Sequence, residues 1–458
     1  EKLSVALLEP EKKRLSMQPT DNVDAYRNYL QGNVAYDRSW GRDDVEAALT
    51  SYKKAVELDP NFALAWAKIA RTHAWIYQLR YDRTTDRLVA AKEAADNAIR
   101  LDPGLSEAHL SLGLYWYWGM GEYDKALAEF AKAGQLQPSN AQVFQQTGNV
   151  NRRQGKFPEA IANYRKSASL NPRYHLAWFN YGETSLFVRQ YAQAAPALAR
   201  VTALAPDFLE GYVQQARLAI SERGDVDGAR KFLRMAEERI PPSAWRSSML
   251  DFARIAYGPN LQPYLARLRP GVYGLDTASY HLMKARFLRQ MSMPQATAEF
   301  DSARVLYEKS VAEQPGAYAG HAQLATAYAG VGRAADAVRE AKEALTLHPV
   351  SSDALEGPDL VINIADIYVM LGNADSAAVW YDQALSIPSW ISINSLRVDP
   401  MLTAFRATPQ YKRLLDKWSK PQKVAQAPAR ASLSPRLQMF AAIPDNRAAS
   451  PRPNAGKR

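Results

Sequence analysis

Six histidines, His73, His109, His175, His281, His321 and His348, are the side chains best placed by type for metal binding or proton transfer near neutral pH. Their spacing fits neither role. No His-Glu-x-x-His pair exists, and His109 and His321 fall on one recurring position of a longer pattern, which reads as packing. There is no cysteine, hence no thiolate zinc site and no disulfide framework. Gly119-Met120-Gly121 is not followed by the Gly-Lys-Ser/Thr of a phosphate loop. The His-Arg-Asp and Asp-Phe-Gly signatures of kinases are absent, as is a Gly-x-Ser-x-Gly elbow. Carboxylates are plentiful but fall on helical faces, where they read as solvated surface. No catalytic, cofactor-binding or metal-binding residue is assigned. Recognition chemistry is left. Tyr115-Trp116-Tyr117-Trp118 is the densest aromatic run, and aromatic and arginine side chains are enriched where proteins grip partners.

The elements that would carry such chemistry are set by a period. Pro103, Pro138, Pro172 and Pro206 are separated by 35, 34 and 34 residues. Twelve residues before the last three stand Ala126, Ala160 and Ala194, and eight before stand Phe130, Tyr164 and Leu198. A small residue comes 24 before, at Gly148 and Gly182, and 25 before at Gly113. Four residues earlier again come His109, Phe144 and Trp178. Each unit is expected to be two antiparallel helices. The glycine and alanine let the backbones approach, the bulky residues fill the space, and the proline ends the second helix. One hairpin cannot bury its own apolar face, so it stacks on its neighbours.

A repeat of about 34 residues with these landmarks resembles the tetratricopeptide repeat family. The resemblance implies an all-α fold, a right-handed superhelical solenoid of about nine helical hairpins. It also implies a concave wall, lined by the first helices, that holds an extended or helical peptide. Carried onto this chain, the wall positions are Arg71 and Trp75, then Leu114, Tyr117 and Trp118, then Asn149, Arg152 and Arg153, then Phe179, Glu183 and Phe187. Trp116 is expected in the core. The carboxylate clamp of the family needs a lysine and an asparagine four apart. Ala67 and Arg71 stand there in the second repeat, Gln145 and Asn149 in the fourth, so binding of chaperone tails is not assigned.

In order, residues 1–20 read as an amphipathic linker helix, and 21–242 as six repeats. Residues 243–278 break the pattern with Gly258-Pro259, Pro263 and Pro270-Gly271, and are expected as a degenerate repeat or hinge. Repeats resume over 279–390, and 391–418 read as a capping segment with a helix from Pro409 to Trp418. The stretch from Pro19-Thr20-Asp21-Asn22 to Tyr29-Leu30-Gln31-Gly32 resembles the junction of bacterial multidomain signalling proteins, where an upstream module meets its repeats. The first residue is Glu1, which is read as the start of a fragment or processed product.

Residues 419–458, with six prolines, read as a disordered basic tail. That tail holds three Lys, five Arg and one Asp, or +7, so the rest of the chain carries only +3 of the net +10. Bulk charge therefore gives no basic groove for nucleic acid. No apolar run is long enough to span a membrane. The expected protein is a non-enzymatic, cytoplasmic interaction scaffold that needs no cofactor. Its expected partner is a protein or peptide, or its own upstream module. The alternative is the accessory region of a serine/threonine kinase, a nucleotide cyclase or a TolB-like regulator.

Overall fold

The structure, a computed structural model, describes residues 19–38 and 41–419. Most of the expected linker helix and basic tail lies outside the described residues. Within them every regular element is helical. The first six hairpins pair α1 (Val23–Arg38) with α2 (Arg42–Leu58), α3 (Ala63–Gln78) with α4 (Thr85–Leu101), and α5 (Ser106–Leu114) with α6 (Tyr123–Leu136). They continue as α7 (Ala141–Arg153) with α8 (Phe157–Leu170), α9 (His175–Phe187) with α10 (Tyr191–Leu204), and α11 (Leu209–Arg223) with α12 (Val226–Arg239). Two shorter helices come next, α13 (Ser247–Tyr257) and α14 (Gln262–Arg267). Three more hairpins are α15 (Thr277–Gln290) with α16 (Ala296–Glu313), α17 (Tyr318–Gly330) with α18 (Ala334–Leu347), and α19 (Gly357–Met370) with α20 (Ala374–Ser386). The chain ends in α21 (Ile393–Val398), α22 (Thr403–Arg406) and α23 (Pro409–Trp418).

The repeating landmarks meet as pairs. A Cβ placed on Gly148 would lie 2.7 Å from the Tyr164 ring, and one on Gly182 2.8 Å from Leu198. Both bulky partners are fully buried, so only glycine lets these helices close. The position four before the glycine has a second task. Trp178 Nε1 donates to Pro172 O at 3.0 Å, Trp66 Nε1 to Pro60 O at 2.9 Å, and Tyr212 Oη to Pro206 O at 2.9 Å. His109 and His321 do the same to Pro103 O and Pro315 O, at 3.1 and 2.9 Å, and also meet Glu129 and Glu340. In these five repeats the ring ties the first helix to the carbonyl of the preceding proline, six residues back. These histidines are hinges of the packing.

The third repeat is one residue longer than the fourth and fifth, and the structure shows where that residue goes. Tyr115–Met120 form a π-helical turn that continues α5, and Glu122 N–H reaches Trp116 O at 2.9 Å. A π-turn absorbs one extra residue and rotates the chain beyond it. That explains why Gly113 sits one place further from its proline.

The stretch 243–278 shares a core with its neighbours. Trp245, Met249, Leu250, Phe252, Leu261 and Leu268 are buried together with Tyr212 on one side and Phe287 on the other. At the far end Tyr411 and Leu414 of α23 join the core built on Tyr381 and Phe405.

After α20 the chain returns to the first half and crosses the tips of its hairpins. Arg189, in the left-handed region at φ 61°, donates to the carbonyls of Leu385 (2.7 Å), Ile387 (3.2 Å) and Ile391 (3.2 Å) and to Ser389 Oγ (3.1 Å). Ser392 Oγ donates to Ser221 O at 2.7 Å, and Asn394 Nδ2 to Glu222 O at 2.6 Å. Arg254 on α13 grips Asp399 through two bonds of 2.7 and 2.9 Å. The solenoid is thus closed upon itself by a seam.

Candidate peptide-binding face

The inner wall is built by a register. Eleven residues after each repeat-closing proline come Arg71, Leu114, Asn149 and Glu183, one per first helix, and then Arg217 on α11. The fold brings several of the expected wall residues together. Trp75 and Trp118 lie with ring centres 4.8 Å apart. Tyr117 Oη accepts from Arg153 Nε at 3.0 Å. Arg152 Nη1 donates to Glu183 Oε2 at 2.6 Å, and Gln214 Nε2 donates to Glu183 Oε1 at 3.0 Å. Asn149 accepts from Tyr164 Oη at 2.8 Å and donates to Gln146 at 2.9 Å. Arg71 donates to Tyr36 Oη at 3.2 Å and to Gln142 Oε1 at 2.7 Å, a bond that joins α3 to α7 across the concave side. Phe179 meets Phe208 edge to face at 5.2 Å.

Two of the expected wall residues face inward instead. Leu114 is fully buried beside Phe130 and Val150. Phe187 is also fully buried, with Trp390 of the returning segment covering its ring at 4.7 Å. A local pattern cannot reveal a neighbour about 200 residues later. Arg153 meets a different late segment, the connection between α18 and α19. It donates to Asp353 and Glu356, and Ala354 N–H bonds Arg153 O at 2.8 Å.

Three groups at this contact could share a cation: His348, Asp353 and Glu356 bring ligand atoms within 4.8 Å of one another. Arg153 already supplies the positive charge to both carboxylates, so the cluster is balanced from within the chain. His348 stacks on Tyr318 at 4.1 Å, and Tyr318 Oη donates to Glu356.

Other wall groups carry no signal in the sequence. The Lys68 amine, one turn before Arg71 on α3, makes no hydrogen bond or ion pair among the described residues. Burial, and then the nearby Arg71 charge, hold its amine down to about 8. Gln145 Oε1 and Gln214 Oε1 are buried without a hydrogen-bond partner. Across the lumen, α19 presents Asp359 and Asp366. Burial pushes the Asp366 carboxyl up to about 6, whereas Asp359 is exposed to solvent. Asp366 accepts from Tyr381 Oη at 2.5 Å. Arg217 was legible in principle, since it follows Pro206 as Arg71 follows Pro60.

Family models described as tetratricopeptide repeat match residues 146–186 and 322–389, and 40–62. Anaphase-promoting complex subunit 3 of Schizosaccharomyces pombe is 24% identical over 160 residues, which is 35% of this chain and 23% of that protein. Superkiller complex protein 3 of Mus musculus is 29% identical over 203 residues, which is 43% of this chain and 12% of that protein. The chain therefore spans less than a quarter of these curated relatives. Among solved structures, PilF of Pseudomonas aeruginosa is 20% identical with a TM-score of 0.36, covering 47% of this chain and 91% of that one. Tetratricopeptide repeats are present in this chain, and its fold is an all-α solenoid of them.

Proposed function

We propose that this solenoid is a non-catalytic interaction scaffold that takes a peptide or a partner domain against its concave wall. The observation that carries the reading is a contrast along that wall. Arg71, Arg152, Arg153 and Asn149 are held by the chain's own groups. Between them lie side chains without partners: the Lys68 amine and the amide oxygens of Gln145 and Gln214. The Trp75–Trp118 pair lies on the same wall, half-buried. Buried amides without partners cost free energy until a ligand or water meets them. An extended peptide offers backbone N–H and C=O groups in the alternation such a wall needs. The aromatic pair adds apolar area at a modest entropic cost.

The test is selection of binders from a display library of random peptides against the full chain, followed by titration. Lys68→Ala with Trp118→Ala should weaken a selected peptide by at least about tenfold, the loss expected when a hot spot is removed. Arg234→Ala, an exposed change on α12, should leave it unchanged. Equal binding by all three proteins would remove the concave wall from the reading.

A second reading makes this the regulatory part of a bacterial cytoplasmic signalling protein, with a kinase, cyclase or TolB-like module upstream. The resemblance of residues 19–32 to that junction favours it. Sequencing the coding region upstream of Glu1 decides it: no such module there ends the reading. No helix among the described residues is long and apolar enough to cross a membrane.

A further inference from the structure

The two ends of the stack are finished differently. At the far end Tyr411 and Leu414 of α23 cover the core built on Tyr381 and Phe405. At the near end α1 keeps the register of the later first helices. A Cβ on Gly32 would meet the Tyr52 ring at 2.5 Å, as one on Gly148 meets Tyr164. Tyr52 Oη donates to Asn33 Oδ1 at 2.8 Å, as Tyr164 Oη does to Asn149. Two residues after the glycine stand Val34 in α1 and Val150 in α7. Val150 is fully buried with Leu110, Leu114 and Phe130 of the repeat before it. Thr184, two after Gly182, is fully buried as well. Among the described residues no repeat precedes α1, and Val34 is 63% exposed. Val23, Tyr26 and Leu30 lie along the same side of the helix at 72, 39 and 44%.

An apolar stripe at the end of a solenoid is where a cap belongs, because a terminal repeat needs a polar outer face. Four partly exposed side chains fall well short of the ~800 Å² per partner that a stable dimer buries. A tethered segment needs less area, since its effective concentration replaces that of a second molecule. Such a segment adjoins the stripe. Thr20 Oγ1 donates to Asp59, and Asn22 Nδ2 to Leu58 O at 2.9 Å, which fixes the chain beside the first turn of α1. Pro19-Thr20-Asp21-Asn22 has the composition of a turn. Residues 1–18, outside the described residues, bring Leu3, Leu7, Leu8, Leu15 and Met17. From Val23 to Val34 the stripe is about 16 Å long at the helical rise, within reach of a segment of that length.

We propose that residues 1–18 fold back along α1 and cover Val23, Tyr26, Leu30 and Val34, capping the open end of the stack. The contact is apolar and stays within one chain. It stands or falls separately from the concave-wall reading, since α1 offers this stripe on the side where a preceding repeat would pack.

The chain has no cysteine, so one introduced thiol is a clean probe in the full-length protein. Val34→Cys places it on the stripe. Val89→Cys places it on α4 at a position 48% exposed, and Val201→Cys at a fully buried position of α10. Val34→Cys should react with a maleimide at least about ten times more slowly than Val89→Cys, at a rate independent of protein concentration. Adding Leu7→Asp, Leu8→Asp and Leu15→Asp should bring Val34→Cys up to the rate of Val89→Cys. Val201→Cys should stay unreactive in the same background, which shows that the solenoid is still folded.

Equal rates at Val34→Cys and Val89→Cys in the unaltered background would overturn the proposal. So would slow labelling of Val34→Cys that the aspartates leave unchanged, or that dilution relieves, since the cover would then be a second copy of the chain.

Discussion

Arg189→Ala should unfasten the seam. The guanidinium has five N–H donors, and four acceptors of the returning segment lie within 3.2 Å of it: the carbonyls of Leu385, Ile387 and Ile391 and the Ser389 hydroxyl. Contacts at 3.3 and 3.4 Å, to Ile391 and Ala384, add little. Among the described residues no carboxylate pairs with Arg189, and burial lowers its pKa, so neutral carbonyls and one hydroxyl stabilise its charge. Each bond of this kind contributes on the order of 1 kcal/mol net, so truncation should cost the segment about 3–4 kcal/mol. Phe187 and Trp390 pack on the same contact and would lose cover together.

The assay is native-state hydrogen exchange at the Ser389 amide, which donates to Phe187 O at 3.3 Å. A loss of about 3 kcal/mol should speed its exchange by a factor on the order of a hundred. Amides in the centre of α3 and α4, far along the chain, should exchange as before, because a solenoid couples mainly neighbours. Arg189→Lys should recover part of the protection, since an ammonium reaches fewer carbonyls than the guanidinium fork. Unchanged exchange at Ser389 in Arg189→Ala would refute the claim that this guanidinium holds the segment.

The same geometry gives three further outcomes. Gly148→Ala should lower stability by about 1–3 kcal/mol in chemical denaturation, because its methyl meets the buried Tyr164 ring at 2.7 Å. Trp178→Phe should cost about 1 kcal/mol by removing the donor to Pro172 O, whereas Phe144→Trp should gain up to about that much by adding one in a repeat that lacks it; paired thermal melts read both signs. The Asp366 carboxyl on α19 titrates near 6 in the fold, against an ordinary 3.8, so the native state binds the extra proton between those values. That stability is present at low pH and fades as pH rises through 6. Asp366→Asn should therefore raise the melting temperature at pH 8 and leave it unchanged near pH 4.

Much of the candidate face was legible because its register is local. The resemblance that the spacing carries placed Trp75, Trp118, Asn149, Arg152 and Glu183 on first helices; four lie there, and Trp118 lies on the π-turn that continues α5. The extra residue of the third repeat was visible as a spacing of 35, although its form, a π-turn, was not. Arg217 could have been found by extending the same count one repeat further. Lys68 could not, since nothing in its neighbourhood of sequence distinguishes a free amine from a paired one.

The sequence by itself determined the hairpins. Every contact that defines one lies within a single period: Gly148 with Tyr164, Trp178 with Pro172, His109 with Glu129. Such contacts leave a periodic trace. Tertiary structure alone decided what the stack does with its ends. Arg189 meets Ser389, Arg153 meets Glu356 and Arg254 meets Asp399 across 200, 203 and 145 residues. Those meetings depend on small rotations summed over many repeats. No single repeat encodes the sum, so the closing seam and the covered Phe187 appear only when the whole superhelix is in place.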